Sequence, residues 1–239
     1  MWFYSYSVVQ LERIAEDKLR EFDSERLVAP KNIDVYDFIE ACLDVPYDWK
    51  NLTPNQSILG VTAFSDGYWW VWDGAEGDLP RKHPVTKGTI LIDNSLVAPD
   101  AVKGRENFTV IHECFHQILH ERVFRQRALR DRSYSRAQDI SAVIGKTRPQ
   151  LTGMEITEWQ ANAATAAFLM PRRAVVFAFR EAMKIPASLA FPVKYSLAIE
   201  TQIEVMADMF GVSYTAMKYR LFDLCLVEGS ISVDVLVSC

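Results

Sequence analysis

The sequence lacks several features that would assign it to a class of protein at once. Its apolar runs are too short and too interrupted to span a bilayer, and no basic region or cleavage-site pattern accompanies the apolar residues 1–4. The four cysteines show neither metal-site nor disulfide spacing; they are Cys42, Cys114, Cys225 and Cys239. These absences argue against a disulfide-stabilised secreted domain and predict a cytoplasmic protein with no membrane partner.

The chain has no excess of positive charge. The chain carries 26 Lys and Arg against 31 Asp and Glu, and its net charge of −5 gives no general attraction to nucleic acid or anionic lipid. The exception is the segment 121–150, where eight basic and three acidic residues give 8 − 3 = +5. Three interpretations of this basic segment stay open: a solvated helix and loop, a lid or exosite for an acidic partner, and a nucleic-acid contact.

Histidine is rare, with four residues in 239, yet three of them lie at four-residue intervals in His112-Glu113-Cys114-Phe115-His116-Gln117-Ile118-Leu119-His120. Residues i and i+4 share a face of a helix, so His112 and His116 can bind one metal ion with Glu113 beside them. This is the arrangement of a zinc peptidase, in which the carboxylate acts on a water that the metal activates. Because an HExxH motif arises by chance in roughly one chain in a hundred of this size, its surroundings have to support it.

The residues around the motif predict a helix. No Pro or Gly lies between Gly104 and the motif, and apolar residues recur at spacings of three and four; they are Phe108, Ile111, Phe115, Ile118 and Leu119. The alternative is a core helix whose histidines are only hydrogen-bonded neighbours. Cys114 lies on another face from His112 and is interpreted as a core thiol. His120 could either orient substrate or anchor the helix.

A site with two histidine ligands needs a third protein ligand and an open position. Thr152 and Glu155 form a capping-box pattern, which predicts a helix that ends before Pro171. The alanines that follow Glu158 would let this helix approach the histidines closely. We therefore predict Glu158 as the third ligand in preference to Glu155, whose carboxylate is expected to cap the helix. Asn162, one turn after Glu158, could steady a ligand histidine.

Together these motifs resemble the ImmA/IrrE family of zinc metallopeptidases. The family pattern is an arginine and a Phe-Thr pair, an HExxHxxxH helix, and later ExxAN and LMP. The matching residues here are Arg105, Phe108, Thr109, 112–120, 158–162 and 169–171. The resemblance covers residues 55–171 well and the ends loosely. The chain departs from the pattern at Phe115, where the family usually has a small residue, and in the 158 − 116 = 42 residues from His116 to Glu158.

The resemblance implies an α+β fold. Residues 1–171 would form a zincin-like metallopeptidase domain, built from a small β-sheet and the HExxH helix, and residues 172–239 would form a helical C-terminal region. The implied cofactor is Zn²⁺. Its implied ligands are His112, His116 and Glu158.

The resemblance also implies an activity. Glu113 would act as the general base of an endopeptidase that cleaves an intracellular protein, for example a helix-turn-helix transcriptional repressor. An oxyanion-stabilising residue is expected, and Tyr134, Tyr195 and His83 are unranked candidates. The alternative is a non-catalytic zinc protein that sequesters such a repressor or belongs to a toxin–antitoxin pair.

A β region precedes the metal helix, after predicted helices at residues 7–22 and from Asp34 to Leu43. Residues 58–64 predict a strand, and 68–72 predict its hairpin partner. The aromatic residues of the second strand are interpreted as sheet residues, with a sugar or peptide platform as the alternative. Residues 88–93 predict a further strand, which in a zincin-like fold would form the cleft edge and pair with an extended substrate.

The C-terminal region contains a pattern of helix, glycine turn and helix around Gly211, which is typical of a helix-turn-helix. Its charge argues against a DNA-binding role, because residues 196–239 carry two basic and six acidic side chains, or 2 − 6 = −4. Phosphate contacts supply most of the affinity for DNA. We therefore predict a packing or target-docking module, and no direct binding of nucleic acid.

Overall fold

The chain combines helices with small sheets, as expected for an α+β protein. A computed structural model describes residues 6–74, 79–126, 133–136, 151 and 153–229. The helices within this part are α1 (Val8–Asp23), α2 (Val35–Phe38), α3 (Lys103–Gln126), α4 (Gly153–Leu169), α5 (Arg172–Met183), α6 (Leu197–Phe210) and α7 (Tyr214–Asp223). The strands are β1 (Tyr47–Lys50), β2 (Ile58–Thr62), β3 (Gly67–Val71), β4 (Arg81–Val85), β5 (Ile90–Asp93), β6 (Ser133–Arg136), β7 (Val193–Lys194) and β8 (Val227–Glu228).

The two predicted N-terminal helices are confirmed. Ser7 and Gln10 form a capping box at the start of α1, and Leu11, Ala15 and Leu19 bury one face of it. The side chain of Asp34 accepts hydrogen bonds from backbone N–H groups at the start of α2, which continues as a π-helical turn over Ile39–Leu43. Local capping and periodicity therefore account for both helices.

The main sheet has the strand order β1-β5-β2-β6. β5 runs parallel to β1 and antiparallel to β2, and β6 pairs antiparallel with the other edge of β2. The prediction that residues 88–93 form a cleft edge is therefore wrong, because both backbone edges of β5 are hydrogen-bonded within the sheet. β6 lies in the basic segment, for which a solvated helix and loop was one of the three interpretations. The edges of this sheet, within the described residues, are β1 and β6.

The predicted hairpin between residues 58–64 and 68–72 is also wrong. Both strands form, but β3 pairs with β4, so that Trp69 lies opposite His83. β2 cannot pair with β3 because β5 and β6 occupy both of its edges. Tyr68 and Trp70 are exposed sheet residues, and the Lys82 ammonium lies 4.3 Å from the centre of the Tyr68 ring.

The core lies on both faces of the main sheet. Ile90 and Ile92 pack into the large cluster formed with the helices, whereas Leu91 points to a smaller cluster under the β3–β4 hairpin. A run of buried residues on both faces is typical of an interior strand. On the helical side, α4 packs against both α1 and α3, and α3 lies against β2 and β5. The histidine helix is thus held between the sheet and α4.

The C-terminal helices α6 and α7 contribute to the same large cluster, and they form the predicted helix, glycine turn and helix. Gly211 ends α6 with a φ of 64°, a left-handed conformation that favours glycine. Asn107 of α3 donates a hydrogen bond to the Gly211 carbonyl at 2.8 Å. The turn therefore rests directly on the first part of the histidine helix.

Candidate metal centre

His112 and His116 lie one turn apart on α3, and both aim their Nε2 atoms at one point. The two Nε2 atoms are 2.9 Å apart. Their side chains are almost fully buried, because this face of α3 is covered by α4 and β2. The four-residue spacing in the sequence therefore produces the convergence that it predicted.

Glu158 reaches the two imidazoles from α4. Its Oε2 lies 3.2 Å from His112 Nε2, and its Oε1 lies 3.3 Å from His116 Nε2. Ala161, Ala164 and Ala167 are buried, and such small side chains allow two helices to pack closely. Glu155, the less favoured candidate, is not part of the group. Thr152, its expected capping partner, lies outside the described residues.

The nearest atoms of the three side chains are spaced like the ligands of one metal ion. A metal with bonds of about 2.0–2.1 Å to nitrogen and oxygen separates its tetrahedral ligand atoms by about 3.3 Å. The two Nε2 atoms are 2.9 Å apart, and they lie 3.2 and 3.3 Å from Oε2 and Oε1 of Glu158 respectively, so each pair of nearest atoms is close to that spacing. Each residue offers one ligand atom, and all three are buried. His112, His116 and Glu158 can therefore hold a metal ion.

The charges of the group favour a cation. Burial alone would raise the pKa of Glu158, but its attraction to the His116 and His112 imidazoles outweighs burial and holds that pKa well below its usual range. Burial alone would lower the pKa of His116, but attraction to the Glu158 carboxylate outweighs burial and raises that pKa above its usual value. In the metal-free protein a proton is thus drawn to the place where a cation would be bound.

Glu113, the predicted general base, projects from α3 toward β2 and is fully buried. The Thr62 hydroxyl donates a hydrogen bond of 2.7 Å to Glu113 Oε2. Gly60 makes room for the carboxylate, because a Cβ at position 60 would lie 2.7 Å from Glu113 Oε1. Two residues on one face of β2 therefore set the position of this carboxylate.

His120 continues the line of histidines one turn beyond His116. The Nδ1 atoms of His116 and His120 are 3.0 Å apart, and His120 Nε2 lies 3.0 Å from Gln160 Oε1 on α4. Burial and the nearby His116 lower the pKa of His120 to about 3, so its ring is neutral. His120 therefore contacts His116, a predicted metal ligand, in addition to any role in anchoring the helix. Sequence reasoning missed Gln160, although a buried histidine requires a hydrogen-bond partner.

Asn162 does not take the supporting role predicted for it. Its Oδ1 is buried without a hydrogen-bond partner in the described part of the chain. Cys114 is fully buried on the far side of α3, as a core thiol would be, and burial raises the pKa of that thiol. On α4, Gln160 rather than Asn162 forms a hydrogen bond to one of the three histidines.

Two of the candidate oxyanion residues, Tyr195 and His83, contact other parts of the chain. Tyr195 belongs to the C-terminal region, where its ring stacks on Phe222 and its hydroxyl lies 3.3 Å from that of Tyr214. His83 lies on β4, with its Nε2 3.7 Å from Asp48. Tyr134 pairs through its backbone with Val61 of β2. Most of the basic segment, including the predicted lid or exosite, lies outside the described residues.

The helix-turn-helix pattern buries its own basic side chains. Lys218 and Arg220, both on α7, are 7% and 4% exposed. Arg220 donates hydrogen bonds to the Met170 carbonyl at 3.0 Å and to Glu12 at 3.1 Å, which ties α7 to α1 and to the end of α4. Neither cation is presented to a phosphate, and this supports the packing interpretation.

Comparison of the chain with protein-family models and with curated proteins gives no match. Among the described residues, no helix is both long and apolar enough to cross a membrane. The function of the chain therefore has to be inferred from the site itself.

Proposed function

We propose that the chain is a zinc-dependent endopeptidase of the ImmA/IrrE type, with a zincin-like arrangement of sheet and active-site helix. The observation that carries the proposal is the convergence of His112, His116 and Glu158 in one buried group, with Glu113 directly after His112 on the same helix and its carboxylate held by Thr62. Two imidazoles and one carboxylate form a ligand set used by zinc hydrolases, which keep one position open. Imidazole ligands also favour zinc over magnesium or calcium.

When bound, Zn²⁺ would supply Lewis acidity, which brings the pKa of a water toward neutrality and polarises the scissile carbonyl. Within the protein, Glu113 carries out the proton transfers of the reaction. Its carboxylate takes the proton of the attacking water and then delivers that proton to the leaving amine. Thr62 holds one carboxylate oxygen and Gly60 leaves space for the other, so that Glu113 is oriented before substrate binds.

The proposed substrate is an intracellular protein, and the resemblance suggests a helix-turn-helix repressor. One observation favours the alternative, a non-catalytic zinc protein that sequesters such a repressor or belongs to a toxin–antitoxin pair. Glu113 and His116 are 0% exposed, His112 is 3% exposed and Glu158 is 7% exposed. A polypeptide could reach these groups only after part of their cover moves. An endopeptidase therefore needs an opening step that a binding protein does not need.

Incubation with a candidate repressor tests the proposal. The natural chain with Zn²⁺ should convert the repressor into two discrete fragments, which mass spectrometry identifies. Chelation should stop cleavage, and Glu113→Gln should abolish it while the protein still binds zinc. Fragments that persist with Glu113→Gln would refute the mechanism. A stable complex with repressor and no fragment would favour the sequestering alternative.

A further inference from the structure

His116, His120 and Gln160 form a relay, a continuous line of hydrogen bonds that starts at the candidate metal centre. The first bond joins the two Nδ1 atoms at 3.0 Å, and the second joins His120 Nε2 to Gln160 Oε1 at 3.0 Å. All three side chains are buried, with exposed fractions of 0%, 2% and 1%. Bulk water therefore cannot replace either bond.

The positions of the protons along this line follow from one another. His116 presents Nε2 to the metal centre, so its neutral ring carries the proton on Nδ1. That N–H must donate to His120 Nδ1, which is then the acceptor atom of the second ring. A neutral imidazole has one donor and one acceptor, so His120 carries its proton on Nε2 and donates it to the Gln160 amide oxygen.

We propose that His120 and Gln160 are positioning residues that fix the ring orientation and tautomer of His116 for metal binding. This inference rests on the proposed metal site. Helix α4 supplies both Glu158, which contacts the two ligand imidazoles directly, and Gln160, which ends the relay two residues later. One helix thus determines the metal geometry both directly and through His120.

The relay makes a quantitative prediction. Losing the hydrogen-bond partner of a ligand histidine typically weakens metal binding by about 10–100-fold. His120→Leu removes the acceptor and puts an apolar group of similar size in its place, so we expect zinc affinity to fall by a factor in that range. His120→Asn can place a carbonyl oxygen near the position of Nδ1, so it should recover part of the affinity. Gln160→Met should weaken binding less than His120→Leu, and Gln160→Glu, which keeps an acceptor, should retain it.

Zinc affinity is measured by competition with a chromophoric chelator, and the thermal unfolding of each metal-free variant is recorded in parallel. His83→Asn is the matched control, because His83 contacts Asp48 and lies outside the relay. A purely structural role for His120 predicts that affinity follows the unfolding temperature. Equal affinities for the natural chain, His120→Leu and His120→Asn would overturn the proposal.

Nitrogen-15 NMR of the natural zinc-loaded chain provides a test that needs no variant. We expect the proton of His116 on Nδ1 and that of His120 on Nε2. A proton on Nδ1 of His120, or zinc bound to that ring, would contradict the relay. If the natural chain and every variant fail to bind zinc, the proposed metal site is wrong and the positioning role falls with it. If the natural chain binds and the His120 variants bind equally, the relay alone is wrong.

Discussion

Two helix pairs in this chain each carry a motif that points to a function. In the pair α3 and α4, buried polar side chains converge, so that His112, His116 and Glu158 bring three ligand atoms to one point. In the pair α6 and α7, which has the outline of a DNA-binding motif, the basic residue Arg220 turns inward and bonds to Glu12 and to the Met170 carbonyl. The first pair leaves its polar groups available to a cation, whereas the second satisfies its cation within the fold.

A motif therefore acquires its function from the groups that its side chains face. A buried carboxylate between two imidazoles is costly unless a proton or a metal compensates it. A buried guanidinium that is bonded to a carboxylate and a carbonyl already has its compensation. Variants of the two helix pairs should therefore differ in kind: those of α3 and α4 should change metal binding, and those of α6 and α7 should change folding stability.

The largest effect is expected from removing a ligand. Structural zinc binding is worth roughly 10–16 kcal/mol, which gives about 3–5 kcal/mol for each ligand. Glu158→Ala should therefore weaken zinc binding by about 1000-fold in a chelator competition assay. Glu155→Ala, one turn earlier on α4, is the control and should bind as the natural chain does. Equal losses in both variants would show that position 158 has no special role.

The next effect concerns the C-terminal helices. Arg220→Met should lower the free energy of unfolding by about 3 kcal/mol in urea, because it leaves the Glu12 carboxylate and the Met170 carbonyl without their buried partner. Arg13→Met, which removes an exposed cation on α1, should cost less than about 1 kcal/mol. A loss of duplex DNA affinity in Arg220→Met without a loss of stability would instead make α7 a DNA-binding helix.

The metal-free protein should show a pH window. The pKa of Glu158 is lowered, so its stabilising contribution is present above the unfolded value of 4.5 and is lost as the pH falls. The pKa of His116 is raised, so its contribution is present below the unfolded value of 6.5 and is lost as the pH rises through the folded pKa. Natural chain and Glu158→Gln should thus differ most between pH 4.5 and 6.5, by about 2 kcal/mol in urea unfolding. A difference that keeps growing above this window would contradict the ion pair.

The smallest change in stability is expected at Gly60. In Gly60→Ala the new methyl group would collide with the Glu113 side chain, at a cost of about 1–2 kcal/mol. We expect zinc binding to persist and peptide cleavage to fall, because the carboxylate moves while the ligands stay in place. Gly67→Ala, at an exposed position of β3, is the control for a strand glycine. Full cleavage activity in Gly60→Ala would show that cleavage does not depend on the position of the Glu113 carboxylate.

Much of the helical structure could be predicted because it is encoded locally. The HExxH spacing places two imidazoles on one face whatever the rest of the chain does. Glu158 could be predicted because the alanines that follow it indicate close helix packing. The helices at the N-terminus and around Gly211 carry their own capping residues and turn signals.

The strand pairing could not be predicted, because it depends on partners that are distant in the sequence. Nothing near residues 58–62 indicates that β5 and β6 occupy both edges of β2, and so exclude the hairpin with β3. Gln160 was missed for a similar reason, since its role appears only when α4 lies beside His120. A third buried histidine without an obvious partner was the signal that could have pointed to it.

The measurement that tests the metal centre most directly is X-ray absorption at the zinc edge of the zinc-loaded chain. We expect one zinc ion per chain, bound by two imidazole nitrogens and by oxygen at about 2.0–2.2 Å. Glu158→Ala should lose this signature, and Glu155→Ala should keep it. A chain that retains no zinc, or a sulfur neighbour at about 2.3 Å in place of the imidazoles, would contradict the site formed by His112, His116 and Glu158.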